Sequence, residues 1–182
     1  MLIMLSGYDR CGKDSAFEAI QMMIPDAKRI AQADHLKEVC FEVYGVTESM
    51  KGTGAEEYYR MCLTKASEIM KIASGSITYF SEYLVNKIGF NKLVADDTLY
   101  VCTDGRYDYE IEYFAKEFNG RGQTFFPLQI TRPEVPPTKY ALDNHNFPQY
   151  KGFSYEINND SNIKEFMTRV QMVTKLLLEG DA

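Results

Sequence analysis

The sequence predicts an α/β fold of three layers, a five-stranded parallel sheet with helices on both faces. Three observations lead there. Five short β-prone runs alternate with stretches of helical period along the chain, the pattern of strands joined by crossover helices. Several of those runs are continuously apolar or β-branched, as expected of strands covered on both sides. The length of 182 residues, 45% of them hydrophobic, suits one domain with a full core. There are no internal repeats and no low-complexity segments.

The first run, Met1-Leu2-Ile3-Met4-Leu5-Ser6, leads into Gly7-Tyr8-Asp9-Arg10-Cys11-Gly12-Lys13-Asp14-Ser15. An amphipathic stretch follows, with Ala16, Phe17, Ile20, Met23 and Ile24 on one face. This is G-x4-G-K between a strand and a helix. A loop of that spacing wraps backbone N–H groups around phosphate oxygens, the helix start adds its positive dipole end, and the lysine reaches the β- and γ-phosphates. The residue after the lysine, normally Ser or Thr, is Asp14, with the hydroxyl one place later as Ser15. An aspartate there can hold Mg2+ directly or through water, since Mg2+ prefers a few hard oxygens and keeps several waters. Cys11 lies inside the cradle beside a helix N-terminus, where a thiolate is favoured; the alternative reading is an ordinary loop residue.

Residues 27–32 form a short second strand, which delivers a helix over about 34–44 with Asp34 as its N-cap and Gly45 as its stop. Residues 47–54 are polar and hold two glycines, a loop. Two helices follow, over about 55–73 and 76–88, with Ile77, Phe80, Leu84 and Ile88 expected in the core. Arg60 and Lys65 of the first read as solvated charges unless that helix borders the phosphate site.

Residues 98–103 are the third strand, ending in Asp104-Gly105-Arg106. A strand closed by aspartate resembles the second nucleotide-binding signature, in which the carboxylate lies beside the phosphate loop and meets Mg2+ through water. Arg106, at the carboxyl end of a central strand, points toward the switch-point crevice. A helix over about 107–118 carries Ile111, Phe114, Ala115 and Phe118 on one face. The fourth strand, 124–131, delivers Arg132, and a polar, proline-containing stretch of about 132–151 has the character of an active-site lid. Residues 152–157 are the fifth strand, and Asn158-Asn159-Asp160-Ser161 caps a last helix to about residue 179.

Charge and cysteine content exclude several classes. A net charge of −6 argues against a nucleic-acid polymer as partner, which draws on broad basic surfaces, whereas a mononucleotide needs only a local basic pocket. Cys11, Cys40, Cys62 and Cys102 are far apart with no C-x-x-C pair, so they read as reduced thiols. No apolar run approaches a membrane span, and no secretory leader is evident at Met1, so a cytoplasmic protein is expected. Two histidines, His35 and His145, make a histidine-rich metal site improbable.

The phosphate loop Gly7 to Ser15, Ala33-Asp34-His35-Leu36-Lys37-Glu38, Asp104-Gly105-Arg106-Tyr107 with Glu110, Ile130-Thr131-Arg132 and Ile157-Asn158-Asn159-Asp160-Ser161 follow one another in the order found in bacteriophage-type deoxynucleoside monophosphate kinases. The chain resembles a short member of that group, within the P-loop nucleoside monophosphate kinase superfamily. The resemblance implies a three-layer P-loop fold of the adenylate kinase type. It implies ATP on Gly7, Asp9, Arg10, Cys11, Gly12, Lys13, Asp14 and Ser15, with its base near Asn158, Asn159 and Asp160. The acceptor monophosphate would lie near Asp34, Lys37, Arg60, Asp104 and Arg106, in a helical region of about 34–92. Lys13, Arg10, Arg106 and Arg132 would surround the transferring group, and Asp14 and Asp104 would serve Mg2+. A homodimer is compatible with all of this.

A monophosphate acceptor is largely dianionic at neutral pH and needs no general base. A hydroxyl acceptor, as in enzymes resembling dephospho-coenzyme A kinase, benefits from one, and Asp34 would be that base. A guanine-nucleotide switch is disfavoured, because Asn86-Lys87-Ile88-Gly89 and Asn91-Lys92-Leu93-Val94 both fail the Asn-Lys-x-Asp signature at the fourth position. A nucleotide-binding module without turnover is the third reading.

Overall fold

The expected strands assemble in a computed structural model that describes residues 1–91, 98–133, 135 and 150–180. The strands are β1 (Leu2–Ser6), β2 (Lys28–Ile30), β3 (Tyr100–Gly105), β4 (Phe125–Thr131) and β5 (Tyr155–Asn158), in the order β2-β3-β1-β4-β5. All four pairings are parallel. The helices are α1 (Lys13–Met23), α2 (Ala33–Tyr44), α3 (Glu56–Ser74), α4 (Tyr79–Ile88), α5 (Asp108–Asn119) and α6 (Ile163–Glu179), with a 3-10 turn at Glu48–Met50.

β1 is central and buried throughout, and its side chains divide by the period of two that a pleated strand imposes. Ile3 and Leu5 pack with Ala16 and Ile20 of α1 and Phe166 and Val170 of α6. Leu2 and Met4 face the other way, onto Ile111, Phe114 and Phe118 of α5 and Leu84 and Val85 of α4. A third cluster joins α2, α3 and α4 through Leu36, Cys40, Tyr59, Cys62, Ala66 and Phe80. Each large apolar side chain buried this way contributes about 1.5–3 kcal/mol, against about 0–1 kcal/mol for an exposed ion pair, so the two layers on the sheet dominate the stability. Among the described residues no helix is long and apolar enough to cross a membrane.

Several boundaries differ from expectation. α4 begins at Tyr79, and Ile77 lies outside it at 60% exposure, whereas Phe80 and Leu84 are buried as expected. The N-cap of α6 is Asn162, whose Oδ1 accepts from Lys164 N and Glu165 N at 3.1 Å each, so the cap lies just beyond the expected 158–161. Asp34 does not cap α2; it sits inside the helix and pairs with Arg29 at 3.2 Å. β3 runs two residues further than expected and carries Asp104 and Gly105 within it. The expected lid of 132–151 falls largely outside the described residues, as do His145 and the end of the expected 34–92 region.

Candidate active site

The turn from β1 to α1 is built by two glycines. Gly7 has φ of 153°, and a Cβ there would strike the Ile130 carbonyl oxygen and the Cys11 Sγ. Gly12, the residue before α1, has φ of 110°, and its Cβ would meet Asn159 Nδ2 at 2.6 Å. Only glycine adopts those conformations at such close approach without strain. Arg10, between them, is the described non-glycine residue with positive φ, 63°, and its side chain is exposed. Such backbone persists where the surroundings over-determine it, commonly at ligand clamps.

Lys13 is half-buried, and its ammonium donates to the carbonyls of Gly7 at 2.8 Å and Tyr8 at 2.7 Å, so it spans the loop from inside. Asn159, after β5, donates from Nδ2 to Cys11 O at 2.9 Å, while its own N–H reaches Thr131 O at 2.7 Å. The loop is thereby fixed to the ends of β4 and β5. Asn158 and Asp160 hydrogen-bond each other, and Asp160 pairs with Arg169 of α6 at 2.6 Å. Of the two readings of Cys11, reactive thiolate or ordinary loop thiol, the structure agrees with the second: it is only 2% exposed, and burial pushes its thiol up despite Lys13 nearby. Its side chain belongs to the buried cluster of Ile3, Leu5 and Ala16.

Two partners come from far along the chain. Asp9 pairs with Arg60 of α3 at 3.2 Å; burial alone would raise the Asp9 carboxyl, but Arg60, Lys13 and Arg106 outweigh it and hold it below its ordinary value. Arg60 also reaches Glu56 at 3.5 Å, and its side chain is only 13% exposed, so it is not the solvated charge that its surroundings in the sequence suggest. Asp104 receives the first turn of α2, its Oδ1 accepting from Gln32 N at 2.9 Å and its Oδ2 from Ala33 N at 2.7 Å. Just beyond it, Glu110 Oε2 accepts from the N–H groups of Arg106 and Tyr107 at 3.0 and 3.1 Å, fixing the turn that carries Arg106. Burial pushes the Glu110 carboxyl up to about 7.

These elements enclose a cleft of about 580 Å³ at the carboxyl ends of the strands. It is lined by Gly7, Asp9, Arg10, Gly12, Lys13, Asp14 and Ser15 from the loop and by Asp104, Arg106, Arg132 and Asn159 from β3, β4 and β5. Arg29, Lys37, Glu48 and Lys51, from β2, α2 and the segment that follows it, line it as well. Its cations, Arg10, Lys13, Arg29, Lys37, Lys51, Arg106 and Arg132, outnumber its anions, Asp9, Asp14, Glu48 and Asp104, in a chain of net charge −6. Such a crevice concentrates an anionic small molecule. Cys11, Asp34, Arg60, Asn158 and Asp160 are not part of its lining.

Sequence alone does not single out Arg29, Glu48 and Lys51. The signal available is a charged residue inside an otherwise short β-prone run for Arg29, and the charge in the polar 47–54 loop for the other two. Glu48 Oε1 accepts from Lys37 at 2.8 Å and Lys51 at 2.9 Å, and those two ammonium groups hold its carboxyl down to about 2. Among the described residues no cluster of three or more His, Cys, Asp or Glu side chains could hold a metal. The carboxylates of Asp14 and Asp104 both line the cleft, hard oxygens suited to a Mg2+ that takes its other ligands from phosphate and water.

No protein-family model matches the chain, and no curated protein matches it. Solved structures do. The chain is similar to dephospho-CoA kinase from Campylobacter jejuni, with 10% identity over 100% of this chain and 98% of that one at a TM-score of 0.56. It is similar to a protein from Chloroflexus aurantiacus described as a kinase, with 16% identity, coverage of 98% and 96%, and a TM-score of 0.55. A gluconokinase from Sinorhizobium meliloti matches at 11% identity, coverage of 98% and 93%, and a TM-score of 0.52. The five-stranded parallel sheet with helices on both faces is thus the fold of these kinases.

Proposed function

We propose that this chain transfers the γ-phosphoryl group of ATP to a (deoxy)nucleoside 5′-monophosphate, giving the diphosphate. The observation that carries the reading is the G-x4-G-K loop opening on a cleft whose lining holds seven cations against four anions. Phosphoryl transfer leaves little covalent work for the protein; donor and acceptor must be aligned and charge on the equatorial oxygens neutralised. Lys13 and Arg10 act from the donor side, Arg106 and Arg132 from the strand ends, and Lys37 from α2. Arg60 acts through Asp9, holding the loop against α3. ATP–Mg2+ would supply the activated phosphoryl group and a divalent charge, with Asp14 as a carboxylate that would hold the ion and Asp104, whose two oxygens already accept from Gln32 N and Ala33 N, meeting it through water.

The dianionic monophosphate is preferred over a hydroxyl acceptor because Asp34, the carboxylate best placed in sequence to act as base, is paired with Arg29 and stands outside the cleft lining. The test is a coupled ADP-release assay across the eight common nucleoside and deoxynucleoside monophosphates. Turnover with at least one of them is expected. ATP binding without turnover of any would replace the reading with that of a hydroxyl-directed kinase or a non-catalytic module.

A further inference from the structure

The cleft lining carries a carboxylate where an anion receptor would be expected to stand open. One oxygen of Glu48, Oε1, lies 2.8 Å from the Lys37 ammonium and 2.9 Å from that of Lys51, and all three side chains line the cleft that the phosphate loop faces. A single oxygen bridging two ammonium groups is the pose of a bound phosphate oxygen. Lys37 comes from α2, whereas Glu48 and Lys51 come from the segment of residues 47–54. That segment is anchored on one side by buried Val46 and on the other by the start of α3, where Gly52 N donates to Glu56 at 2.8 Å. Apart from the Lys37–Glu48 pair, the hydrogen bonds described between those anchors are local, such as Thr47 with Ser49 and Thr53 to Met50, and the residues are mostly exposed.

We propose that Lys37 and Lys51 form a two-lysine receptor for the dianionic phosphate of the acceptor, and that Glu48 is an internal competitor on that receptor, which the acceptor displaces. The energetics favour exchange. Ion pairs in contact with water contribute little net stability, so releasing Glu48 costs little. A phosphate monoester brings close to two charges and three acceptor oxygens, against one charge and one engaged oxygen from the carboxylate. Asp34, 3.8 Å from Lys37, stays paired with Arg29 and does not compete for the same place. The competitor keeps two facing ammonium groups from repelling one another before substrate arrives, and it sets a floor on the acceptor concentration needed for binding.

This inference rests on the monophosphate reading for its ligand, and its test separates the two. Glu48→Gln keeps the side chain's size and removes its charge. Calorimetric titration with inorganic phosphate, which requires no turnover, should tighten by about 3- to 10-fold relative to wild type, with the gain shrinking at high salt. In the kinase assay the KM for the best monophosphate should fall by a similar factor, while the KM for ATP stays within about 2-fold. Lys51→Met should weaken phosphate and acceptor binding and cancel the gain when combined with Glu48→Gln. Glu48→Ala, at an exposed position, checks that the gain comes from charge removal and not from the glutamine amide. Phosphate binding that is unchanged or weaker in both Glu48 variants overturns the inference. If no nucleoside monophosphate is turned over while phosphate binding tightens as stated, the receptor stands and the assignment of its ligand to a nucleotide falls.

Discussion

Asp104 closes the first turn of α2 across 71 residues of chain, its Oδ2 accepting from Ala33 N at 2.7 Å. The same carboxylate takes Gln32 N at 2.9 Å on its other oxygen, so one side chain at the end of β3 satisfies two of the N–H groups that a helix start leaves unpaired. Because Asp104 also lines the cleft, this contact ties the start of α2 to the strand that leads to Arg106. Asp104→Ala should therefore lower stability by about 1–3 kcal/mol, the cost of leaving buried donors without an acceptor, and should do so without any nucleotide present. Urea denaturation of the apo protein measures it, and a change under about 0.5 kcal/mol would contradict the capping role.

The contact also explains why the α2 cap is illegible in the sequence. Asp34 is the nearest residue of capping type, and local reasoning assigns the cap to it, but the acceptor actually used comes from another strand. Asn158, Asn159, Asp160 and Ser161 pose a similar ambiguity: Asn159 is consumed by Cys11 O, Asp160 by Arg169, and the cap passes to Asn162. By contrast, the phosphate loop is legible because its requirements are local. Two glycines, a lysine and the strand and helix around them fix one turn geometry, and the strand runs carry their burial in their composition. Arg29, Glu48 and Lys51 are unreadable because a polar residue in a loop or edge strand has the same sequence signature whether it faces a cleft or water.

Lys13→Ala should abolish transfer, since the ammonium is the loop's own cation. Its bonds to the Gly7 and Tyr8 carbonyls mean that the nucleotide-free loop should loosen as well, seen as a lower Tm for the apo protein. Retention of more than about a tenth of wild-type kcat, a change in barrier below about 1.4 kcal/mol, would contradict a catalytic role for it.

Cys11 should resist alkylation in the folded protein whether or not ATP is present, because burial both hides the thiol and raises its pKa. Mass-spectrometric mapping after iodoacetamide treatment, with and without denaturant, tests this. Rapid modification of native protein, slowed by ATP–Mg2+, would restore the picture of an accessible thiolate in the cradle.

Glu110 links stability to pH. Burial raises its carboxyl to about 7, outweighing the two backbone N–H groups that favour the charged form. Its folded pKa lies above the unfolded one, so between about pH 4.5 and 7 the native state holds a proton that the unfolded chain has released. Stability from this group is present at low pH and is lost as pH rises through about 7. Glu110→Gln keeps an oxygen for the Arg106 and Tyr107 N–H groups and removes the titration. Its stability relative to wild type should rise from about pH 5 to about pH 8, on the order of 2 kcal/mol, in denaturation curves taken at both ends. Parallel pH profiles for the two proteins would exclude Glu110 as the titrating group.

Asp34 and Arg106 decide between the two kinds of acceptor. If the acceptor is a nucleotide phosphate, its dianion is already the nucleophile, and Asp34 has only the work that its ion pairs show: 3.2 Å to Arg29 and 3.8 Å to Lys37. Exposed pairs of that kind contribute about 0–1 kcal/mol, so Asp34→Asn should reduce kcat/KM by well under about 100-fold. Arg106 lines the cleft at the end of β3, on a turn fixed by Glu110, and removing its charge from the transferring phosphoryl group should cost about 100-fold or more. If the acceptor is instead a hydroxyl, Asp34 would have to leave Arg29 and take the proton, and loss of a general base costs about 100- to 10,000-fold. Both variants are to be measured at saturating ATP with the best acceptor from the screen. A larger defect in Asp34→Asn than in Arg106→Ala would rule out transfer to a dianionic monophosphate without a general base; the reverse order, with KM for ATP unchanged in the Asp34 variant, is the expected result.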